Sequence, residues 1–320
     1  MMKSGFVNII GNPNVGKSTL MNRLVGERIS IITSKAQTTR HRIMGIVNGG
    51  NGSGLGDFQI VYSDTPGILR PGYKLQESMM RFVKGAVQDA DVILYVTDTV
   101  EAGAPAAGLA TQNSSSKQSG GIVSARNADV VESIRASGIP TIVIINKIDL
   151  STPEAVGAMV SGWQTLLPDA QVVTTSALLG FNTDGILGRV LELLPEGEPY
   201  FDRDALTDRS LRFFASEIVR EKILLNYSKE IPYSVEVAIE EYREEPTIDR
   251  IRAVIYVSRA SQKGIIIGHK GEALKRVGTA ARRDLEEFLG KKVFLELFVK
   301  VADGWRDSDS ALRRFGYEGD

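Results

Sequence analysis

The sequence feature that most constrains the fold is a glycine-rich loop at residues 11–18, with the sequence GNPNVGKS. The loop fits the pattern Gly-x-x-x-x-Gly-Lys-Ser, follows an apolar run at residues 6–10, and precedes a stretch of helical spacing from Lys17. In such a strand–loop–helix unit, backbone N–H groups and the positive end of the helix point at phosphate. The loop therefore predicts a phosphate site in an α/β fold, with Lys17 at the β- and γ-phosphates and the Ser18 hydroxyl on Mg²⁺.

Strands alternating with helices continue through the first 195 residues. Short apolar runs predict further strands at residues 43–47, 58–62, 92–96, 141–145 and 171–175. Helical spacing predicts helices near residues 74–88, 128–137, 153–166 and 182–194. Because alternating strands and helices form parallel sheets with helices on both faces, we expect a mostly parallel sheet that is buried on both sides.

The composition changes after residue 195. Residues 196–208 are rich in proline and charge, which predicts a linker between a first domain at 1–195 and a second at 209–320. In the second domain the spacing predicts helices at 211–225 and 272–289 and strands at 235–240, 252–257 and 293–301, a smaller α+β arrangement. Two segments interrupt the first domain, a glycine-rich hairpin loop at 49–56 and an Ala-, Gly- and Ser-rich stretch at 101–124, expected to be a disordered surface insertion.

Two short segments after the phosphate loop predict groups that respond to the γ-phosphate. Residues 64–67 (DTPG) follow a predicted strand, so that Asp64 can hold Mg²⁺ directly or through water and the Gly67 amide can bond the γ-phosphate. Thr38 and Thr39 lie between the first helix and the second strand, where a mobile threonine can complete the metal shell. Thr39 is favoured, although the sequence does not separate the two.

Residues 146–149 (NKID) predict recognition of guanine, because this pattern resembles that of guanine nucleotide-binding proteins. In those proteins the aspartate, here Asp149, accepts from guanine N1–H and the exocyclic amine. Adenine offers no such donors, so the wrong base leaves the carboxylate unpaired. Asn146 is expected to tie loops together, Lys147 to lie over the base plane, and the Ala177 N–H, in a Ser-Ala-Leu motif, to face guanine O6.

One catalytic group of related enzymes is missing. Ras-like enzymes orient the attacking water with a glutamine after the Asp-x-x-Gly motif, and Ile68 stands at that position here. We therefore expect slow intrinsic hydrolysis, with water placed by backbone, another residue or a partner. Asn14 resembles the phosphate-loop asparagine that binds K⁺ in GTPases without that glutamine, which predicts a K⁺ site there.

The predicted nucleotide site combines catalytic groups, Mg²⁺ ligands and residues that contact GTP. Lys17, Thr39 and Gly67 are the predicted catalytic groups, and the predicted Mg²⁺ ligands are Ser18, Asp64 and Thr39 or Thr38. The residues predicted to contact GTP are Gly11, Asn12, Asn14, Val15, Gly16, Lys17, Ser18, Thr19, Asp64, Thr65, Pro66, Gly67, Asn146, Lys147, Asp149, Ser176, Ala177 and Leu178. The guanine motif argues strongly against a metabolic P-loop kinase.

A second glycine turn, Gly-His-Lys-Gly at residues 268–271, lies between an apolar segment and a helix. KH domains clamp the nucleotide backbone with a Gly-x-x-Gly turn, and the strand–strand–helix–turn–helix–strand order around this one fits such a domain. The helix N-terminus faces the anion, and nearby basic side chains add charge. The predicted RNA-binding residues are Gly268, His269, Lys270, Gly271, Lys263, Lys275 and Arg276.

The overall composition excludes several kinds of site and of protein. The net charge is −1, so RNA affinity must come from a local patch rather than from overall charge. The chain has no cysteine, which excludes disulfides, thiolate catalysis and cysteine zinc sites. No apolar run approaches the roughly 20 residues that cross a bilayer, and the first strand begins too early for a signal peptide, so we expect a cytoplasmic protein.

The chain resembles the Era family of bacterial ribosome-assembly GTPases over nearly its whole length. Stretches beyond the general motifs carry this resemblance, namely residues 35–42 (KAQTTRHR), 207–210 (TDRS), 215–222 (ASEIVREK), 231–234 (IPYS) and 299–305 (VKVADGW). The resemblance implies a P-loop GTPase domain followed by a KH domain of the second topology that binds near the 3′ end of small-subunit ribosomal RNA. It also implies a role in assembling the small subunit, a monomer whose GTP-bound state is competent for RNA, and peripheral contact with the inner membrane.

Two other interpretations are weaker. An RNA-binding module with a decayed GTPase half is disfavoured because every predicted phosphate, metal and base contact is intact. A GTPase of the tRNA-modification type would need its own modification machinery, and a tandem G-domain protein would need a second set of motifs. Neither is visible in the sequence, and the KH segment argues against both.

Overall fold

The computed structural model describes residues 2–50, 56–102 and 127–317. The chain divides into two compact units. The first comprises Met1–Ser30, Thr39–Arg70 and Met80–Asp208, and the second comprises Ile31–Thr38, Pro71–Met79 and Arg209–Asp320. Most of the two predicted interruptions, residues 51–55 and 103–124, lies outside the described residues.

The first unit is built on a six-stranded sheet of order β2-β3-β1-β4-β5-β6. Its strands are β1 Lys3–Gly11, β2 Ile43–Gly49, β3 Phe58–Asp64, β4 Val92–Asp98, β5 Thr141–Asn146 and β6 Gln171–Thr174. Strand β2 runs antiparallel to β3, and the other neighbours are parallel. Every residue of β3, β4 and β5 is buried, as expected for strands covered on both faces. The predicted mostly parallel sheet is confirmed.

Helices connect these strands. They are α1 Lys17–Val25, α2 Lys74–Gln88, α3 Thr99–Ala102, α4 Ala128–Ser137, α5 Pro153–Leu166 and α6 Asp184–Leu193. One core cluster packs Val83, Ile134 and Trp163 of the helices against Tyr95 and Val143 of the sheet. Because β1, β3, β5 and β6 are parallel, the loops at their carboxyl ends leave the sheet along one edge, where ligands of such folds bind.

Residues 196–208 belong to the first unit, although their composition predicts a linker. The backbone N–H groups of Tyr200 and Phe201 donate to the Gln59 side chain of β3 over 2.7 and 2.9 Å. Further along, Ile46 of β2 donates to the Leu206 carbonyl over 2.8 Å. The segment is polar in sequence, yet its backbone is hydrogen-bonded along this side of the sheet.

The second unit contains a three-stranded sheet of order β7-β8-β9, with β7 antiparallel and β9 parallel to the central strand. Its elements are α7 Leu211–Asn226, α8 Ile231–Ser234, β7 Val235–Glu244, β8 Ile248–Val257, α9 Ala260–Ile267, α10 Glu272–Leu289, β9 Lys292–Val301 and α11 Asp309–Arg314. Val219 of α7 and Val277 of α10 pack in one core with Ile255 of β8. None of the helices in the described ranges is long and apolar enough to span a membrane.

The two tryptophans of the chain generate a stability prediction. Both are 1% exposed, but the Trp305 indole donates to the Ser234 carbonyl over 3.0 Å, whereas the Trp163 indole N–H has no hydrogen-bond partner among the described residues. Each change to phenylalanine removes the same volume. Only Trp305→Phe also removes a hydrogen bond. We therefore expect its loss in the free energy of unfolding to exceed that of Trp163→Phe by about 1 kcal/mol. Urea unfolding followed by circular dichroism measures both losses, and equal losses would contradict the prediction.

Candidate functional site

The phosphate loop joins β1 to α1 and is held by Lys17. The Lys17 ammonium donates to the carbonyls of Gly11 over 3.0 Å and Asn12 over 2.7 Å. Gly16 has φ +97°, and a Cβ there would lie 2.2 Å from Asn146 Nδ2, so only glycine fits. The first turn of α1 contains no acidic residue, which leaves the positive helix end available to an anion.

Ser18, Thr39 and Asp64 converge beside this loop. The Ser18 hydroxyl donates to Asp64 Oδ2 over 2.6 Å and lies 2.9 Å from Thr39 Oγ1, which is 3.4 Å from the same carboxylate oxygen. Asp64 Oδ1 is buried and has no hydrogen-bond partner among the described residues. Two hydroxyls and a carboxylate with a spare oxygen are the hard oxygen ligands that Mg²⁺ prefers, so this donor set fits the ion.

The electrostatic setting of Asp64 also favours a cation. The residue is fully buried, and this burial raises the pKa of its carboxyl above the usual range. The charge of Lys17 and the hydrogen bond from Ser18 act in the opposite direction. A further positive charge at the spare oxygen would stabilise the ionised carboxylate.

The structure places the two candidate threonines differently. Thr39 joins Ser18 and Asp64, whereas the Thr38 hydroxyl donates to the Lys35 carbonyl over 2.6 Å and lies 2.6 Å from Thr33 Oγ1. Thr38 therefore serves the local turn of its own segment. The alternation of side chains along the backbone directs these neighbours to different surroundings, which the sequence alone did not resolve.

The segment after Asp64 packs tightly on the phosphate loop. A Cβ at Gly67 would lie 2.7 Å from the Pro13 Cα, so the close approach of these two backbones requires glycine. The Ile68 N–H donates to the Gly11 carbonyl over 3.1 Å, and the Ile68 side chain is 2% exposed. The residue at the position of the missing glutamine is thus a core side chain with no polar group.

Asn146 connects the phosphate loop with the Ser-Ala-Leu loop. Its Nδ2 donates to the Val15 carbonyl over 2.8 Å, and its Oδ1 accepts from the Ala177 N–H over 2.9 Å. That N–H is the group predicted to face guanine O6, and in the structure it has a protein partner. Asn146 ties two loops together as expected, but the Ala177 N–H was not among its expected partners, because the two loops meet only in the folded sheet.

Lys147 and Asp149 flank a short turn after β5. Lys147 has φ +59°, donates to the Asn14 carbonyl over 2.6 Å and forms an ion pair with Asp98 over 2.6 Å. This arrangement lays the lysine stem along the phosphate loop. Asp149 is exposed, so its carboxylate is accessible to a base.

In the second unit the Gly-His-Lys-Gly turn lies between α9 and α10. Gly268 has φ +71° and Gly271 has φ +80°, and a Cβ at Gly268 would lie 2.6 Å from the Ala273 Cβ. His269 and Lys270 are exposed at the tip. The other predicted basic residues, Lys263, Lys275 and Arg276, are exposed as well.

A groove next to this turn runs between α10 and β9. Its lining combines basic side chains, Lys275 and Arg282, with the apolar side chains of Leu274, Leu295 and Leu297. Sequence reasoning missed the two leucines of β9. Their spacing of two residues in a predicted strand was the available signal, because it places both side chains on one face.

Comparisons with known proteins identify a family for each of the two domains. Residues 6–147 match the family model described as a 50S ribosome-binding GTPase, and residues 230–306 match the KH domain. The chain is 43% identical to GTPase Era of Syntrophus aciditrophicus over 319 residues, which cover 99% of this chain and 96% of the relative. It is also 43% identical to GTPase Era of Geotalea daltonii, covering 98% of each protein.

Two solved Era structures also match the fold of this chain. The fold matches an Aquifex aeolicus Era variant bound to GDP and AlF4⁻ with a TM-score of 0.88 and 39% identity, covering 99% of this chain and 100% of that one. It also matches Era in complex with MgGDPNP and nucleotides 1506–1542 of 16S ribosomal RNA, with the same TM-score and identity and full coverage of both chains. The predicted fold class, a P-loop GTPase domain followed by a KH domain, is confirmed. The chain belongs to the Era family of GTPases.

Proposed function

We propose that this protein is a GTP-hydrolysing switch that binds small-subunit ribosomal RNA near its 3′ end and assists assembly of the small subunit. One observation carries the proposal: the whole chain matches an Era structure that holds both MgGDPNP and nucleotides 1506–1542 of 16S ribosomal RNA. The convergence of Ser18, Thr39 and Asp64 supports the first activity. The glycine turn at the start of α10, with His269 and Lys270 exposed at its tip, supports the second.

For the nucleotide, we propose that the loop at residues 11–18 cradles the phosphates through its backbone N–H groups. Ser18, Thr39 and Asp64 would hold Mg²⁺, which when bound offsets charge on the β- and γ-phosphates. Lys17 would move from the loop carbonyls to the phosphates, and the Gly67 N–H would donate to the γ-phosphate. Water would be placed by backbone or a partner, because Ile68 is buried.

For the base, we propose that the exposed carboxylate of Asp149 accepts from guanine N1–H and the exocyclic amine. Lys147, fixed along the phosphate loop, would cover the base plane. Asn146 would act indirectly by holding the Ser176–Leu178 loop against the phosphate loop. The Ala177 N–H could share its hydrogen with guanine O6 only as a three-centre bond.

For RNA, we propose that the turn at residues 268–271 clamps the sugar–phosphate backbone and that bases enter the groove between α10 and β9. Lys263, His269, Lys270, Lys275 and Arg276 would supply positive charge. The leucines that line the groove offer apolar surface to the bases. Loss of the γ-phosphate would release Thr39 and Gly67 and change RNA affinity, and the coupling must be reciprocal.

We also propose three further properties that the sequence led us to expect. They are a monomeric state, a cytoplasmic location and peripheral contact with the inner membrane. Sedimentation of the purified protein with and without vesicles of bacterial lipid composition tests the first and last together.

Base recognition is tested by Asp149→Asn. The change removes two charge-assisted acceptors and places an amide donor against guanine donors, so we expect GDP affinity to fall on the order of 100-fold. Xanthosine diphosphate, which has a carbonyl in place of the amine, should bind the variant better than GDP. Titration calorimetry measures both ligands. The exposed Asp169→Asn serves as the control, and unchanged GDP affinity in Asp149→Asn would refute the assignment.

RNA binding is tested by a matched pair of glycine changes at the two ends of α10. Gly271 and Gly290 both cap the helix with positive φ, and a Cβ at either one meets open space. We expect Gly271→Asp to lower affinity for a 16S 3′-end fragment by on the order of tenfold or more at fixed salt. Gly290→Asp should bind as the parent does.

Coupling between nucleotide and RNA is tested by running the same assay with GDP and with a non-hydrolysable GTP analogue. Equal RNA affinity in both nucleotide states would exclude the equilibrium switch.

The predicted K⁺ site is tested through the hydrolysis rate. We propose that K⁺ near Asn14 offsets charge between the β- and γ-phosphates. Replacing K⁺ by Na⁺ is then expected to slow single-turnover hydrolysis by at least about tenfold, without weakening nucleotide binding. Asn14→Ala should remove the difference between the two ions, and a rate that is the same in Na⁺ would rule the site out.

A further inference from the structure

Residues Ile31–Thr38 are part of the second unit and are held there by helix α7. The Ile32 N–H donates to Glu221 Oε1 over 3.3 Å. The Lys35 ammonium donates to the carbonyls of Leu224 and Tyr227 at the end of the helix. The Arg220 guanidinium donates to the carbonyl of Thr38. The segment is thus bound at its start, its middle and its last residue.

Arg220 is the most buried of these groups. Its side chain is 1% exposed and forms two parallel bonds to Glu217, each 2.6 Å long. A guanidinium removed from water needs acceptors for its remaining N–H groups, because each unpaired buried donor costs free energy. Nη1 has no hydrogen-bond partner among the described residues, and Nη2 donates to the Thr38 carbonyl as well as to Glu217. The negative charge of Glu236 also acts on the guanidinium. The bond from Nη2 fixes the direction of the Thr38 carbonyl.

The Thr38 carbonyl belongs to the same peptide group as the Thr39 N–H. A peptide group is planar, so fixing its oxygen also limits the position of the Thr39 Cα and therefore of the Thr39 hydroxyl. That hydroxyl lies 2.9 Å from Ser18 Oγ, in the proposed Mg²⁺ site. Arg220 can therefore act on the metal site through one peptide plane without touching ligand or metal.

A second buried ion pair ties α7 to the helix that follows the RNA-binding turn. Lys222 pairs with Asp284 of α10 and with Glu221, the residue that accepts from Ile32. The Lys222 and Asp284 side chains are each 10% exposed. The same turns of α7 therefore contact both the Ile31–Thr38 segment and α10.

We propose that Arg220, held by Glu217, is a positioning residue that orients the Thr38–Thr39 peptide so that Thr39 can complete the Mg²⁺ shell of bound GTP. The inference rests on the proposed GTP-binding function. A purely structural ion pair would instead support all nucleotide states equally. GDP has no γ-phosphate, so we expect its Mg²⁺ complex not to need Thr39. Comparing a GTP analogue with GDP therefore distinguishes a positioning role of Arg220 from a purely structural one.

The experiment uses the full chain with both charges of the pair neutralised together, as Arg220→Gln with Glu217→Gln, so that neither member of the pair is left charged without the other. Binding of a non-hydrolysable GTP analogue and of GDP is measured as Mg²⁺ is titrated. We expect the Mg²⁺ concentration for half-maximal binding of the GTP analogue to rise roughly fivefold or more, while that for GDP stays unchanged. Arg220→Lys, which keeps the charge, should give an intermediate shift.

The control is Arg212→Gln on the same helix, where an exposed arginine donates to the Ile239 carbonyl over 3.3 Å. It should leave both ligands unaffected. An unchanged Mg²⁺ requirement in the double variant, or an equal loss for the GTP analogue and GDP, would overturn the positioning role while leaving the GTPase proposal intact. Failure of the parent protein to bind the GTP analogue with Mg²⁺ would overturn the proposed function itself, and the positioning role with it.

Discussion

The buried carboxylate of Asp64 is the group on which the nucleotide half of the molecule depends. It lies at the end of β3 with no exposure to water, a position that is costly for a charge unless partners compensate. Those partners come from separate parts of the chain: Lys17 and Ser18 from α1, and Thr39 from the segment before β2. The register of β3 beside β1 brings Asp64 next to the phosphate loop. The order and register of the strands therefore also determine the geometry of the candidate Mg²⁺ site.

The sequence predicted the phosphate loop, the sheet and the KH turn well because each depends on residues that are close along the chain. Glycine spacing and apolar runs are local signals, and they were sufficient for these parts. The choice between Thr38 and Thr39 and the partner of the Ala177 N–H depend on contacts between distant segments. Such contacts leave no mark in a single sequence.

Helix α7 is a second case in which contacts between distant segments could not be predicted from the sequence. Glu217, Arg220, Glu221 and Lys222 would normally indicate a face turned to water, yet all four are buried. Besides pairing with one another, they have partners on Ile31–Thr38 and on α10, far away in sequence. Buried ion pairs add little net stability but strongly penalise any arrangement that separates them. The helix is therefore better suited to selecting one conformation of its neighbours than to increasing stability.

Residues 196–208 have a consequence for solubility. Strand β2 forms an edge of the sheet, and an unpaired edge offers its N–H and C=O groups to strands of other molecules. Part of this edge is already bonded, since Gly45 bridges to Thr207, Ile46 donates to Leu206 and the Thr207 hydroxyl donates to the Met44 carbonyl. A flexible linker of equal length would connect the chain as well but would uncover the edge. The segment thus covers part of the β2 edge, where another molecule could otherwise add a strand.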